Sequence, residues 1–208
     1  MFENVVSQGM LKVIDTISPF LKDFYLAGGT GLAIQLGHRI SIDLDLFSPI
    51  QFETETLLYK ISPNKVIAVR NGTIHCEREG IKLSFLFYKE PLVYPIIIWK
   101  GLNMADWRDI TAEKFKAISQ RGSKKDFYDL YSILKVKLTI EDACEIFKKR
   151  FATSGVNRYH VLKSLIYFDD AEADPEPTLC MKGKDWEWRA VKLYFEKNVK
   201  IFEKHLIA

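Results

Sequence analysis

The sequence predicts an α/β (α+β) chain: a small mixed sheet with flanking helices over residues 1–104, then a helical domain over residues 105–208. Three observations carry that reading. Short apolar or alternating runs, bounded by glycine, proline and asparagine, recur between residues 24 and 99, as strands do. From about residue 105 the apolar residues return every three or four positions, as on one face of a helix. A length of 208 residues gives one large domain or two small ones enough chain to bury a core.

Taken in order, Val5, Val6, Met10, Val13, Ile14 and Ile17 share a helical face, so residues 3–17 read as an amphipathic helix that Pro19 closes. Phe24–Ala27 is a short buried strand. Gly28 and Gly29 allow a tight turn at which backbone amides approach a ligand closely. Thr30 is placed to cap a helix over residues 31–36, whose free N–H groups and dipole favour an anion such as phosphate, and Gly37 ends that helix. After the loop His38–Ser41 comes a strand over residues 42–47. Alternation sets Ile42, Leu44 and Leu46 on one face and Asp43 with Asp45 on the other. A helix over residues 54–60 stops at Ser62-Pro63-Asn64.

Strands over residues 65–70 and 73–78 flank Asn71-Gly72, a hairpin signal, and Glu79-Gly80 leads into a third over residues 81–88. In that strand Ile81, Leu83, Phe85 and Phe87 face one way and Lys82, Ser84, Leu86 and Tyr88 the other. Residues 91–101 read as an irregular apolar linker. Helices follow over residues 109–121, 124–134 and 139–151, the last with Thr139 at its start, and over 157–169. The acidic stretch 169–177 is a loop. A final helix over residues 185–206 offers Trp188, Val191, Leu193, Phe195, Val199 and Phe202 for burial.

Composition narrows the function. Hydrophobic residues make up 48% and charged residues 27%, ordinary for a globular protein, and a net charge of +3 is too small to argue for nucleic acid by itself. Cys76, Cys144 and Cys180 have no metal-ligand spacing and read as reduced thiols. The N-terminus lacks the pattern of a signal peptide, and no run of about 18 apolar residues is present, so a cytoplasmic protein without a membrane span is expected.

The chemistry-bearing stretch is Phe24–Pro49. Two carboxylates one strand period apart repel unless a cation lies between them, and their hard oxygens suit Mg²⁺. A Gly-Gly-Thr turn alone, or an Asp-x-Asp alone, is usually structural. In this order, a phosphate-facing turn and then a carboxylate pair are what phosphoryl or nucleotidyl transfer requires.

Gly29-Thr30, twelve intervening residues and then Asp43-Leu44-Asp45 resemble the signature of the nucleotidyltransferase superfamily. The fuller string, LAGGT, LA, QL, HR, S and DLDLF across residues 26–47, resembles the AbiEii/AbiGii toxin branch. Downstream, Lys114, Ala117-Ile118, Arg121-Gly122, Lys125-Asp126 and Asp129-Leu130-Tyr131 extend the likeness. The resemblance implies a minimal nucleotidyltransferase-like core, with the helical domain completing the cleft. It implies Mg²⁺ on Asp43 and Asp45, phosphates on Gly28, Gly29 and Thr30, and nucleotide binding by Lys114 and Asp126. An NTP donor, an RNA acceptor such as tRNA and a cognate antitoxin follow from the same likeness.

Other residues bear on that reading. Arg39 and Ser41 precede the acid strand, where an arginine serves phosphate oxygens or an aspartate equally well. The helical wheel places Phe127, Leu130, Tyr131 and Leu134 on a buried stripe, Asp126 at its rim and Asp129 more outward. Lys–Asp pairs on a solvated face would account for the same residues. Ser84 stands where many nucleotidyltransferases carry a third metal-binding acid. That departure leaves one-metal chemistry, a substitute such as Glu77, or a catalytically inactive nucleotide- or protein-binding module as the alternatives.

Overall fold

The structure, a computed structural model, describes residues 1–207. The chain divides into two compact units, Met1–Asp106 and a second from Trp107 onward. The first holds all seven strands and the second is helical.

In the first unit, a 3₁₀ turn at Glu3–Val5 leads to α1 (Gln8–Ile17), whose first turn is capped by the Ser7 side chain accepting from the Met10 amide at 3.0 Å. The cap, absent from the sequence reading, is why the helix starts five residues later than expected. Val5, Val6, Met10, Val13, Ile14 and Ile17 are all buried, and they pack with Leu44, Leu46, Leu83 and Phe85 in one core. β1 (Tyr25–Leu26) runs directly into α2 (Gly28–Leu36), and β2 (Asp43–Ser48) follows. α3 (Thr54–Ile61), β3 (Lys65–Arg70), β4 (Thr73–Arg78) and β5 (Ile81–Phe87) come next. The turn into β5 carries Glu79 and Gly80 with φ of 50° and 77°, the paired positive values of a tight hairpin turn.

The expected linker at residues 91–101 is not irregular throughout: β6 (Ile97–Trp99) and β7 (Leu102–Met104) form a hairpin about Lys100-Gly101, again with paired positive φ. Exposed Ile98, apolar like its neighbours Ile97 and Trp99, hid the alternation. The sheet order is β3-β4-β5-β2-β1-β7-β6. β2 lies at its centre, antiparallel to β1 and parallel to β5. Ile42, expected to share the buried face with Leu44 and Leu46, precedes the strand and is 69% exposed.

The second unit contains α4 (Trp107–Arg121), α5 (Lys124–Val136), α6 (Ile140–Arg150), α7 (Arg158–Ser164), α8 (Asp169–Glu172) and α9 (Trp188–Ile207). Thr139 caps α6 as expected, accepting from the Asp142 amide at 3.1 Å. The helix expected over residues 157–169 stops at Ser164, and the acidic loop begins as the short α8, whose start Phe168 buries against Phe127. On α9 Val191, Phe195 and Phe202 are buried, whereas Leu193 is exposed and Val199 only half-buried. All three cysteines are free, and among the described residues no helix is long and apolar enough to cross a membrane.

α4 is joined to α6 by a buried ion pair, Arg150 Nη1 to Asp109 Oδ1 at 2.9 Å, with Arg150 Nη2 also reaching Glu113 at 2.7 Å. Removing Asp109 leaves Glu113 as the remaining carboxylate on the buried guanidinium and takes away the acceptor of Nη1, so Asp109→Ala is expected to cost about 1–3 kcal/mol. Asp109→Asn, which keeps an acceptor for the guanidinium, costs less. Chemical denaturation of both variants checks the order.

Candidate active site

β2 alternates as the pleat requires: Leu44, Leu46 and Ser48 are buried, while Asp43 and Asp45 are half-exposed on the opposite face. Pairing extends that polar face across two more strands. Asp43 is in register with Lys82 and Asp45 with Ser84 on β5. On β4, Glu77 lies opposite Lys82 and His75 opposite Ser84. The faces expected for β5 hold, so Ser84 lies on the polar face beside Asp45. It is bonded to the His75 ring, Nδ1 to Oγ 3.2 Å.

α2 begins three residues earlier than expected. Its N-cap is Ala27, whose amide donates to the Asp45 carbonyl at 3.0 Å and whose carbonyl accepts the first intrahelical bond from Gly31 at 2.9 Å. The amides of Gly28, Gly29 and Thr30 precede that bond and form the helix's open donor end. Gly28 has φ of +60°, and a Cβ there would run into the Asp45 carboxylate. The glycine is therefore required twice, by backbone conformation and by close approach.

Thr30 is inside the helix, buried, and is not its cap. Its hydroxyl hydrogen-bonds the Asp43 carbonyl and lies 2.7 Å from the Ser41 hydroxyl. Arg39, 5% exposed, donates from Nη1 to the Ile40 carbonyl at 3.1 Å and to Ser41 Oγ at 3.5 Å, and the Ser41 amide donates to Val5 at 2.9 Å. Thr30, Arg39 and Ser41 thus form a buried network beneath the start of β2, and it sets where Asp43 begins.

In the second unit the helical wheel misplaced the acids. Asp126 and Asp129 are both fully buried, neither at a rim nor outward, because Lys114 draws them in. Lys114 Nζ is 2.8 Å from Asp126 Oδ1 and 2.6 Å from Asp129 Oδ2. Arg121 and Ser123 complete the shell, with Arg121 Nε and Ser123 Oγ donating to Asp126 Oδ2 at 2.7 and 2.6 Å. Burial opposes ionisation of Asp126. The Lys114 ammonium and the Arg121 guanidinium outweigh it and hold the carboxyl well below the usual carboxylate range.

Among the described residues no group of three or more His, Cys, Asp or Glu side chains is arranged to hold a metal, so Glu77 does not complete a three-acid centre with the two aspartates. By register, Lys82 stands between Glu77 and Asp43. Two adjacent carboxylates beside a helix donor end still fit Mg²⁺, which one or two protein carboxylates hold while water and substrate phosphates fill its other positions. The sequence reading had singled out Ser84 only as a missing acid and had passed over His75. Alternation sets Ser84 on the polar face of β5, but only the register brings His75 beside it.

A model of the nucleotidyl transferase AbiEii toxin family, of the type IV toxin–antitoxin system, matches residues 12–198. Uncharacterized protein aq_aa25 of Aquifex aeolicus (strain VF5) is 35% identical over 190 residues, covering 86% of this chain and 87% of its own. JHP933 from Helicobacter pylori aligns over 100% of this chain and 95% of its own with a TM-score of 0.56 and 16% identity. MenT4, the nucleotidyltransferase toxin Rv2826c from Mycobacterium tuberculosis H37Rv, covers 96% of this chain and 91% of its own at 0.59 and 16%. At that identity the two structures establish a shared fold.

Gly28→Ala is expected to lower stability by about 1–3 kcal/mol, the scale of a strained backbone position, and to weaken anion binding at α2, as thermal melts with and without inorganic triphosphate would show. Asp126 makes the second prediction. Its ionised form is favoured in the fold, so its contribution is fully present above the ordinary carboxylate range, near pH 4, and is lost as pH falls towards its depressed folded value. The acid limb of a pH–stability curve should therefore flatten in Asp126→Asn.

Proposed function

We propose that this chain, which belongs to the nucleotidyl transferase AbiEii toxin family, moves a nucleotidyl group from an NTP to an acceptor hydroxyl in a Mg²⁺-dependent step. Membership of that family makes it a nucleotidyltransferase enzyme of the toxin kind. RNA, tRNA included, is the acceptor class in this reading, and a cognate antitoxin is the protein partner. The observation that carries it is the half-exposed pair Asp43 and Asp45 on one face of β2, with Asp45 lying against Gly28 at the donor end of α2.

Asp43 and Asp45 are the residues that would hold the ion, and bound Mg²⁺ would supply charge neutralisation at the transferring phosphoryl group. The amides of Gly28 and Gly29 would donate to the phosphates of the NTP, with the helix dipole adding to the attraction. Thr30, Ser41 and Arg39 keep the acid strand in register with that donor end. In this reading Lys114 and Asp126 serve nucleotide binding indirectly, their buried ion pair fixing how α4 packs on α5, with Asp129 orienting the lysine. Ser84 in the third-acid position favours a second reading, an idle nucleotide-binding module of the same fold.

The two readings differ in what the acid pair does. Repulsion between neighbouring carboxylates costs about 0.2–1 kcal/mol when no cation is present. Asp43→Asn is therefore expected to raise Tm by about 1–3 °C without metal and to abolish the further rise that Mg²⁺ with NTP produces in the wild type. Incubation with each labelled NTP and total RNA should transfer label in a manner that needs both Asp43 and Asp45. Retention of Mg–NTP binding in Asp43→Ala, measured by calorimetry, would count against the site.

A further inference from the structure

We propose that His75 and Ser84 form the acceptor side of the site: Ser84 contacts the attacking hydroxyl, and His75, acting through Ser84, takes up its proton. The inference rests on the nucleotidyl-transfer reading and assigns roles that the acid pair and the glycine turn leave unfilled.

Displacement at phosphorus places the attacking and leaving oxygens roughly in line, on opposite sides of the phosphorus. The leaving pyrophosphate belongs where the donors are, at the start of α2, and Gly28 fixes that side by its approach to Asp45. The acceptor oxygen then belongs on the other side of the aspartates. There β5 and β4 place Ser84 in register with Asp45 and His75 in register with Ser84. One row across the sheet thus reads donor end, carboxylate, hydroxyl, imidazole.

The couple has the chemistry that this position needs. Both residues are half-exposed, so an incoming hydroxyl can reach them. Ser84 Oγ and His75 Nδ1 are 3.2 Å apart, and the tautomer carrying hydrogen on Nε2 accepts the serine hydrogen at Nδ1. An aspartate at residue 84 would instead add a third negative charge beside Asp43 and Asp45 and draw in a further cation. The neutral hydroxyl removes that ligand and leaves proton removal to the imidazole, the side chain most often used for it.

The step balances as follows. The acceptor O–H proton passes to Ser84 Oγ while the Ser84 hydrogen passes to His75 Nδ1. The acceptor oxygen bonds the α-phosphorus, and the bond from that phosphorus to the bridging oxygen breaks. Pyrophosphate leaves with the bond electrons, and the imidazolium returns its proton to solvent.

The test uses the full chain with labelled NTP and RNA, comparing His75→Ala, Ser84→Ala, Ser84→Thr and Asp45→Asn with the wild type. His75→Ala and Ser84→Ala should lower kcat by about 10²-fold, with the KM for NTP and calorimetric Mg–NTP binding unchanged. Ser84→Thr, which keeps the hydroxyl, should retain most of the activity. Free imidazole should restore His75→Ala and leave the reduced rate of Ser84→Ala unchanged. If Asp45→Asn abolishes transfer while His75→Ala transfers at the wild-type rate, the acceptor-side assignment falls and the transfer reading stands. Loss through KM alone, or failure of imidazole to rescue, also overturns it. If Asp45→Asn transfers as well as the wild type, the transfer reading falls and takes this inference with it.

Discussion

The approach of the Gly28 backbone to the Asp45 carboxylate is the constraint on which the rest of the first unit depends. A side chain at residue 28 would occupy the space the carboxylate fills, and the backbone there already takes φ of +60°. Because β1 hydrogen-bonds β2 and then turns directly into α2, the helix's donor end is delivered to the acid strand without a loop between them. Two like charges on one strand face need such a scaffold. Their mutual repulsion would otherwise be relieved by moving the strand, and the Thr30–Ser41–Asp43 network prevents that movement from below.

The second unit solves a different problem with the same physical means. α4 carries Lys114 towards α5 and Asp109 with Glu113 towards α6, so buried charges lie at two of its packing contacts. A buried charge is tolerated only where its partner is present with suitable geometry, and each pair therefore specifies one way for two helices to meet. The surrounding phenylalanines supply the burial energy: Phe115 packs on Phe147 and Phe202, and Phe127 on Phe168 and Phe195. Lys114, Asp126 and Asp129 consequently have a structural role in addition to any contact with nucleotide.

The polar face of the sheet shows how one substitution redistributes chemistry across neighbours. With Ser84 where a third acid would add charge, the ring that meets it is His75, one strand further out, and Lys82 separates Glu77 from Asp43. Along the row through Asp45 the polar face grades from carboxylate at β2 to hydroxyl at β5 and imidazole at β4, whereas the row through Asp43 passes Lys82 and returns to an acid at Glu77. Such a gradient suits a reaction that binds anionic phosphates and a cation at one end and removes a proton from a neutral hydroxyl at the other.

By itself the sequence determined the α/β fold class, the β3–β4 hairpin, the facing of β5, the end of α2 at Gly37 and the pairing of a glycine turn with two acids on one strand face. These are local properties, set by a period of two, a glycine at positive φ or a cap, so neighbouring residues suffice to encode them. Only the tertiary structure decided that Thr30 ties down Asp43 in place of capping α2, that residues 97–104 close a hairpin, and that His75 meets Ser84. It alone decided that Asp129 turns inward to Lys114. Each of these depends on partners from another strand or helix. A helical wheel assigns a charge to solvent because water is the only partner it knows, whereas in the fold a buried ammonium 2.6 Å away makes the interior the more favourable place.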